Sequence, residues 1–321
     1  FSQKTLVNGK ESDFMKIGKE FHRWVRDNET KLGLVDSEAF LGFVDRIDYF
    51  SGAYREIHEL IKKRDASEFL YLIVNDDYGF TLQPALILSA IAYKDDEKTI
   101  NNKIKVVSRY ITKLLTWRVW NHYQISQSSL ESSIYELCRM IRGKSTDEVE
   151  AFFDMGPIQI DALTTPPHLN QQNKRKIKVL LALITAIVGK ESKEFNYVLN
   201  DNEPLEVEHI WANHPEHHPE FASEDEFQTV RNSIGGLLVL PKSFNASYGD
   251  DPYSSKVEQY FSKNILAQTL NKKKYVNNPG FQKFKVESGL PFMPYEDFTK
   301  EAVAERAELY KRILLFNWGM D

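Results

Sequence analysis

LEVEHIWANH (205–214) and RNSIGGLLVLPKSFNASYGDDPYSSK (231–256) carry the pattern that decides how this chain is read. A Glu-His pair, Glu208 and His209, closes a short strand-like run. A long polar segment follows, and then a second apolar run from Leu237 to Leu240. A turn with an exposed Asn245 and a polar lead into a helix complete the stretch. The expected order is strand, loop, strand, helix, with a histidine and an asparagine brought together.

Those residue types suit phosphodiester hydrolysis. The reaction needs a water made nucleophilic and a leaving oxygen stabilised. A neutral imidazole such as His209 takes a proton near pH 7, and a divalent cation stabilises charge on the phosphate. Glu208 offers a carboxylate and Asn245 a neutral carbonyl oxygen. One carboxylate, one amide and waters suit Mg²⁺ or Mn²⁺ better than Zn²⁺. Neighbours in a strand point to opposite faces, so Glu208 and His209 address one phosphate only at a frayed or bent strand end.

The surrounding chain is ordinary in composition: 321 residues, 42% hydrophobic, 27% charged, with a net charge of −5. Its length allows two domains. The single Cys138 excludes an intramolecular disulfide and a multi-cysteine zinc site, and a cytoplasmic setting is expected. No membrane span is expected, since the longest apolar run, Val179 to Val188, is short and contains Thr185. The chain begins at Phe1, as a piece of a longer protein would.

From Asp13 to Gly189 the apolar spacing is helical, as in Phe40 to Tyr49, Glu68 to Val74 and Ile134 to Ile141. Thr81 and Pro84 mark a helix start before ALILSAIAY, and Gly189 is the expected stop of a buried helix from Lys176. Lys190 to Pro204 reads as a linker, Val257 to Leu270 as helix, and Asn277 to Pro294 as loop. Thr299 is expected to cap a last helix whose stripe is Val303, Ala307, Tyr310, Leu314 and Trp318.

EHIWANH, the 231–256 stretch, NILAQTL and FTKEAVAERAELYKRILLFNW together resemble the HNH (His-Me finger) nuclease domain at the C-terminus of GmrSD-like and SspE-like restriction proteins. The resemblance covers Asn196 to Trp318. It implies a mainly α fold: a helical domain (1–195) followed by a helical domain (196–321) carrying a small ββα-metal nuclease unit. The helical half resembles the region that joins this nuclease to an upstream ParB-like nucleotidase domain, whose DGQQR-type motif does not occur here. The implied roles are His209 as general base, Glu208 and Asn245 as metal ligands, and Lys256 as a phosphate contact. The implied function is a metal-dependent endonuclease nicking foreign or phage DNA. One position departs from the family: its Gly-Asn-Leu is Gly235-Gly236-Leu237 here, and Asn232 is a candidate replacement.

Other readings stay open at this stage. His214, His217 and His218 could join His209 in a zinc site or lie in a surface loop. Asn245 could cap a helix, Arg231 and Asn232 could brace the loop, and Lys256 could be a surface lysine. Trp117 and Trp120 share a helical face, as core residues do. Lys103, Lys105, Arg109, Lys113 and Arg118 lie in an acid-free stretch, and Lys174, Arg175, Lys176 and Lys178, with Lys272 to Lys274, form further basic clusters. Such clusters bind phosphates or form solvated helix faces. From Asp201 to Tyr260 the cations are Arg231, Lys242 and Lys256 alone, so this stretch is too acidic to hold DNA unaided. That surplus, with Gly236, also suits a DNA-binding module with a decayed HNH site.

Overall fold

The structure, a computed structural model, describes residues 12–158, 162–200, 203–276 and 278–320. Phe1, Asp201 and Asn277, which bound expectations above, lie outside them. The chain is mainly α-helical: the described residues form fourteen α-helices and one two-stranded sheet. No helix among them is long and apolar enough to cross a membrane. Two compact units emerge. The first comprises Phe1–Asp65, Tyr71–Leu114 and Ile125–Ile160, and the second Ala66–Leu70, Leu115–Gln124 and Asp161–Asp321.

The first unit is built from α1 (Ser12–Asp27), α2 (Ser37–Lys63), α4 (Gln83–Ala90), α6 (Gln127–Met140) and α7 (Thr146–Asp154). Helices α3 (Ala66–Asp77) and α5 (Glu97–Trp120) contribute residues to both units. Asp36 caps α2 through Ala39 N, and Ser145 and Glu148 form a capping box at α7. Helix α4 begins where Pro84 allows it, but Leu82 is its cap residue. The Thr81 hydroxyl instead lies 3.1 Å from Gln127 Oε1. The apolar core encloses one polar knot. Asn75 Nδ2 donates to Gln83 Oε1 at 2.6 Å, and Thr112 Oγ1 donates to Asn75 Oδ1 at 2.8 Å. These groups satisfy one another where water is excluded.

The second unit forms around α8 (Lys174–Glu191), in which every residue from Val179 to Gly189 is buried. A helix apolar all round must be covered all round. The sheet, α12 (Ile265–Gln268), α13 (Pro279–Ser288) and α14 (Lys300–Trp318) supply that cover. Helices α9 (Glu224–Arg231), α10 (Lys242–Tyr248) and α11 (Tyr253–Tyr260) complete the unit. Trp117 and Trp120 are buried, as their spacing suggests. Thr299 caps α14 through Ala302 N.

Several local expectations give way. Gly189 does not end α8; it lies inside it, where a Cβ would come within 2.8 Å of Glu194 O. The linker segment buries Tyr197 and Val198. Val257 to Leu270 is two helices, α11 and α12, the second capped by the Asn264 side chain. The expected loop after Asn277 is helix α13, with Pro279 in its first turn and Gly289 left-handed at its end (φ 63°). Proline and glycine punctuate that helix rather than prevent it.

Gly235 lies directly under α14. A Cβ there would overlap the Val303 carbonyl and stand 2.6 Å from Ala307 N. Both are backbone atoms and cannot rotate away. Gly235→Ala is expected to lower unfolding free energy by about 2 kcal/mol or more, read as a drop in urea midpoint.

Candidate active site

Strands β1 (Leu205–His209) and β2 (Leu237–Pro241) pair antiparallel, with Glu208 opposite Leu238 and His209 opposite Leu237. Ile210 N continues the pairing to Gly236 O at 2.9 Å. The strand therefore reaches His209 without fraying, and its alternation sends the Glu208 and His209 side chains to opposite faces.

Glu208 faces inward and is 2% exposed. Its Oε1 accepts from Lys256 Nζ at 2.8 Å and from the Tyr260 hydroxyl at 3.3 Å, both on α11. Lys256 Nζ also donates to His209 O at 3.0 Å. Burial pushes the Glu208 carboxyl up, and Lys256, Tyr260 and Arg231 oppose that rise. The Lys256 side chain has no exposed surface, so it offers no face to a phosphate. The expected phosphate contact is instead a cross-brace from α11 to the end of β1.

His209 Nε2 lies 2.9 Å from Asn232 Oδ1. Asn232 Nδ2 donates to Gln228 O at 2.8 Å, which fixes the amide with its oxygen toward the imidazole. An amide oxygen can only accept. Nε2 therefore carries the proton and Nδ1 keeps the lone pair. Burial is the main cause pushing the His209 pKa down, to about 4, with Arg231, Lys256 and Lys174 adding to it and Asn232 opposing. His209 is thus a neutral imidazole near three cations, able to take a proton at Nδ1.

Of those cations, Arg231 was read from the sequence as a loop brace and Lys174 as part of a basic cluster, neither as a charge beside His209. Arg231 closes α9 and donates from Nε to Trp211 O at 3.1 Å. Lys174 opens α8, from a stretch the strand-loop-strand pattern does not include. The signal for Arg231 was its place beside Asn232 and just ahead of the glycine pair.

Asn245 lies in helix α10, not in an exposed turn. Its Nδ2 approaches Val207 O at 3.4 Å, two residues before His209. Its Oδ1 is buried without a hydrogen-bond partner among the described residues. An orphaned amide oxygen suits a hard divalent cation. The Glu208 carboxylate suits it less, because Lys256 and Tyr260 already hold Oε1. Asn245 Oδ1 is thus open to a cation, and Glu208, as it stands, is not. Among the described residues, no group of three or more His, Cys, Asp or Glu side chains is arranged to hold a metal.

Residues 161–312 match the family model of GmrSD restriction endonucleases, C-terminal domain. The match takes in α8, both strands and most of α14, and it supports a GmrSD-like nuclease family for this region. No curated protein and no solved structure matches the chain.

Within the GmrSD-like region the remaining histidines are held by neighbours. His214 Nδ1 meets Glu216 at 2.9 Å, and His218 Nδ1 meets Glu220 at 3.1 Å. His218 also packs on Trp211 and Phe227, and His214 on His217. The basic clusters divide in the same way. Lys274 is buried on Glu194, Lys273 pairs with Glu258, and in the first unit Lys103 is buried on Asp95. Lys178 turns to Leu205 O.

Removing the ammonium would leave the Glu208 carboxylate buried and unpaired. Lys256→Met is expected to cost about 3–5 kcal/mol in chemical denaturation, and adding Glu208→Gln should recover part of it. A second expectation concerns pH. The unfolded histidine binds a proton below its ordinary pKa of 6.5, while the folded one stays neutral down to about 4. Stability attributable to His209 is therefore complete above pH 6.5 and is lost as pH falls toward 4. Melting temperature should fall more steeply over that window in the wild type than in His209→Gln.

Proposed function

We propose that this chain is a DNA endonuclease of the HNH type, dependent on Mg²⁺ or Mn²⁺, that nicks foreign or phage DNA in restriction. The family match implies a nuclease and DNA as its substrate. The observation that carries the finer reading is His209: a half-buried neutral imidazole, proton fixed on Nε2 by Asn232, with cations around it.

In this reading His209 Nδ1 takes the proton of a water as its oxygen attacks phosphorus. The bond from phosphorus to the leaving oxygen breaks on the opposite side. Arg231 and Lys174 draw the phosphodiester in and offset its added charge in a partly dry site. Lys256 and Tyr260 act at one remove by holding Glu208 and the His209 carbonyl in place. Asn245 Oδ1 would hold the divalent cation, which supplies further charge stabilisation on the phosphate and leaving oxygen. Glu208 would become a ligand only by leaving Lys256, so this reading assigns it to the brace. One such site cuts one strand. A cytoplasmic setting and an upstream ParB-like nucleotidase domain in the same protein belong to the same proposal.

Purified protein with Mg²⁺ or Mn²⁺ is expected to convert supercoiled plasmid to the nicked form, and His209→Ala to lose that conversion. Arg231→Ala should slow it by about 10²-fold, as loss of one charge-stabilising donor does. Because His209 stays neutral to about pH 4, the rate should hold between pH 7.5 and about pH 6, where an ordinary histidine base would begin to fail. Equal nicking by wild type and His209→Ala would remove the base from His209.

A further inference from the structure

The first unit contains a cavity of about 510 Å³ whose residues all precede the family-matched region. Its wall includes Tyr54, His58, Phe80, Leu88, Cys138 and Arg142. Two nitrogens in that wall, Arg142 Nε and His58 Nε2, are buried with no hydrogen-bond partner among the described residues. Other polar groups of the wall are already engaged. Gln83 donates to Leu72 O and accepts from Asn75, and Ser89 donates to Ala85 O.

Arg142, half-buried, differs from the buried lysines of this protein, and from buried Arg306, whose guanidinium donates to Tyr310, Thr269 and Leu266 O. Lys103, Lys256 and Lys274 each meet a carboxylate at 2.8 to 2.9 Å. The groups acting on the charge of Arg142 are Cys138, Tyr135 and Arg139, none of them a carboxylate. Burial accordingly pushes its pKa down, to about 10. The Arg142 Nε–H, shut off from water without an acceptor among the described residues, is a standing cost, and an oxyanion accepting from it and from the rest of the guanidinium fork removes that cost. One acid, Asp76, also lines the cavity. It disfavours a polyanion and leaves room for a single anionic group.

We propose that this cavity binds a small organic anion, its carboxylate or phosphate group against Arg142 and His58 and its apolar ring among Tyr54, Phe80 and Leu88. The volume lies in the range of pockets that enclose small ligands, and its lining of apolar surface with few polar groups has the composition of such sites. The site stands independently of the nuclease reading, since no residue of the second unit takes part.

Binding is tested on the full chain by calorimetry and thermal shift with phenyl phosphate, benzoate, inorganic phosphate and ATP. Phenyl phosphate or benzoate is expected to bind and raise the melting temperature. Arg142→Met should weaken that binding by about tenfold or more, and Arg142→Lys by less, because a point charge replaces the fork. Circular dichroism of both variants separates lost binding from lost fold. Cys138, the single cysteine, provides a second readout: bound ligand should slow its labelling by a thiol reagent. Absence of binding by both organic anions overturns the proposal, as does equal binding by a folded Arg142→Met. Inorganic phosphate binding as tightly as phenyl phosphate overturns the apolar part of the site. Tighter binding by ATP overturns the single-charge part.

Discussion

The buried ion pair between Lys256 and Glu208 is the constraint on which the nuclease-like site depends. It is one cation with two duties. Its ammonium neutralises a carboxylate in the core, and it also holds the carbonyl of the next residue, His209. A helix is thereby fastened to the last residue of a strand. A buried pair is not by itself a strong source of stability, because desolvation offsets much of the attraction. What it supplies here is registry. Helix α11 can lie against β1 in one position only, because a shift of one residue would strand a charge. The Tyr260 hydroxyl on the same carboxylate repeats the constraint one helical turn later.

Helix α8 answers the question that the acidic central stretch raises. Counted along the sequence, residues around His209 carry a surplus of acids. Counted in space, the balance near the imidazole is different. Glu208 is neutralised within its own pair with Lys256. Lys174 arrives from the start of α8, while Arg231 arrives from the end of α9. The apolar body of α8 and the basic residues that open it are one device. The body fixes the sheet, and the basic end brings charge to the strand terminus.

The sequence made some of this legible and hid the rest for identifiable reasons. Strand, loop, strand and helix were readable because the apolar runs are short and bounded by polar residues. The last helix was readable from Thr299 and a stripe with helical spacing. Helix α9 was not, since EDEFQTVR shows one buried residue, Phe227, and its stability rests on the Ser223 cap and on packing. Helix α13 was hidden by Pro279 and Gly289, which look like loop residues until their places at the two ends are known. At the site, residue types could nominate Glu208, His209, Asn245 and Lys256, but they could not say which pairs would meet. Lys256 turned inward because a buried carboxylate needed it. Lys174 could not be found from the motif, because only the tertiary fold brings it to His209.

The glycine pair shows how the same limit affects a motif's apparent loss. A Cβ at Gly236 would stand 3.0 Å from Arg231 O, so the turn that carries Arg231 and Asn232 occupies the space a larger residue would need. That turn in exchange places the Asn232 amide oxygen on His209 Nε2. Asn232, four positions upstream of Gly236, presents its amide oxygen to the imidazole, while the backbone lies close at Gly236 itself. Decay would leave a gap, an unpaired imidazole or a buried charge without a partner. Instead the imidazole proton has an acceptor, the carboxylate has its ammonium, and Asn245 Oδ1, beside the middle of β1, is a buried oxygen without a donor among the described residues. The departure from Gly-Asn-Leu therefore supports a rearranged site more than an abandoned one. In the proposed nuclease, the orphaned oxygen at Asn245 is where a cation would be held.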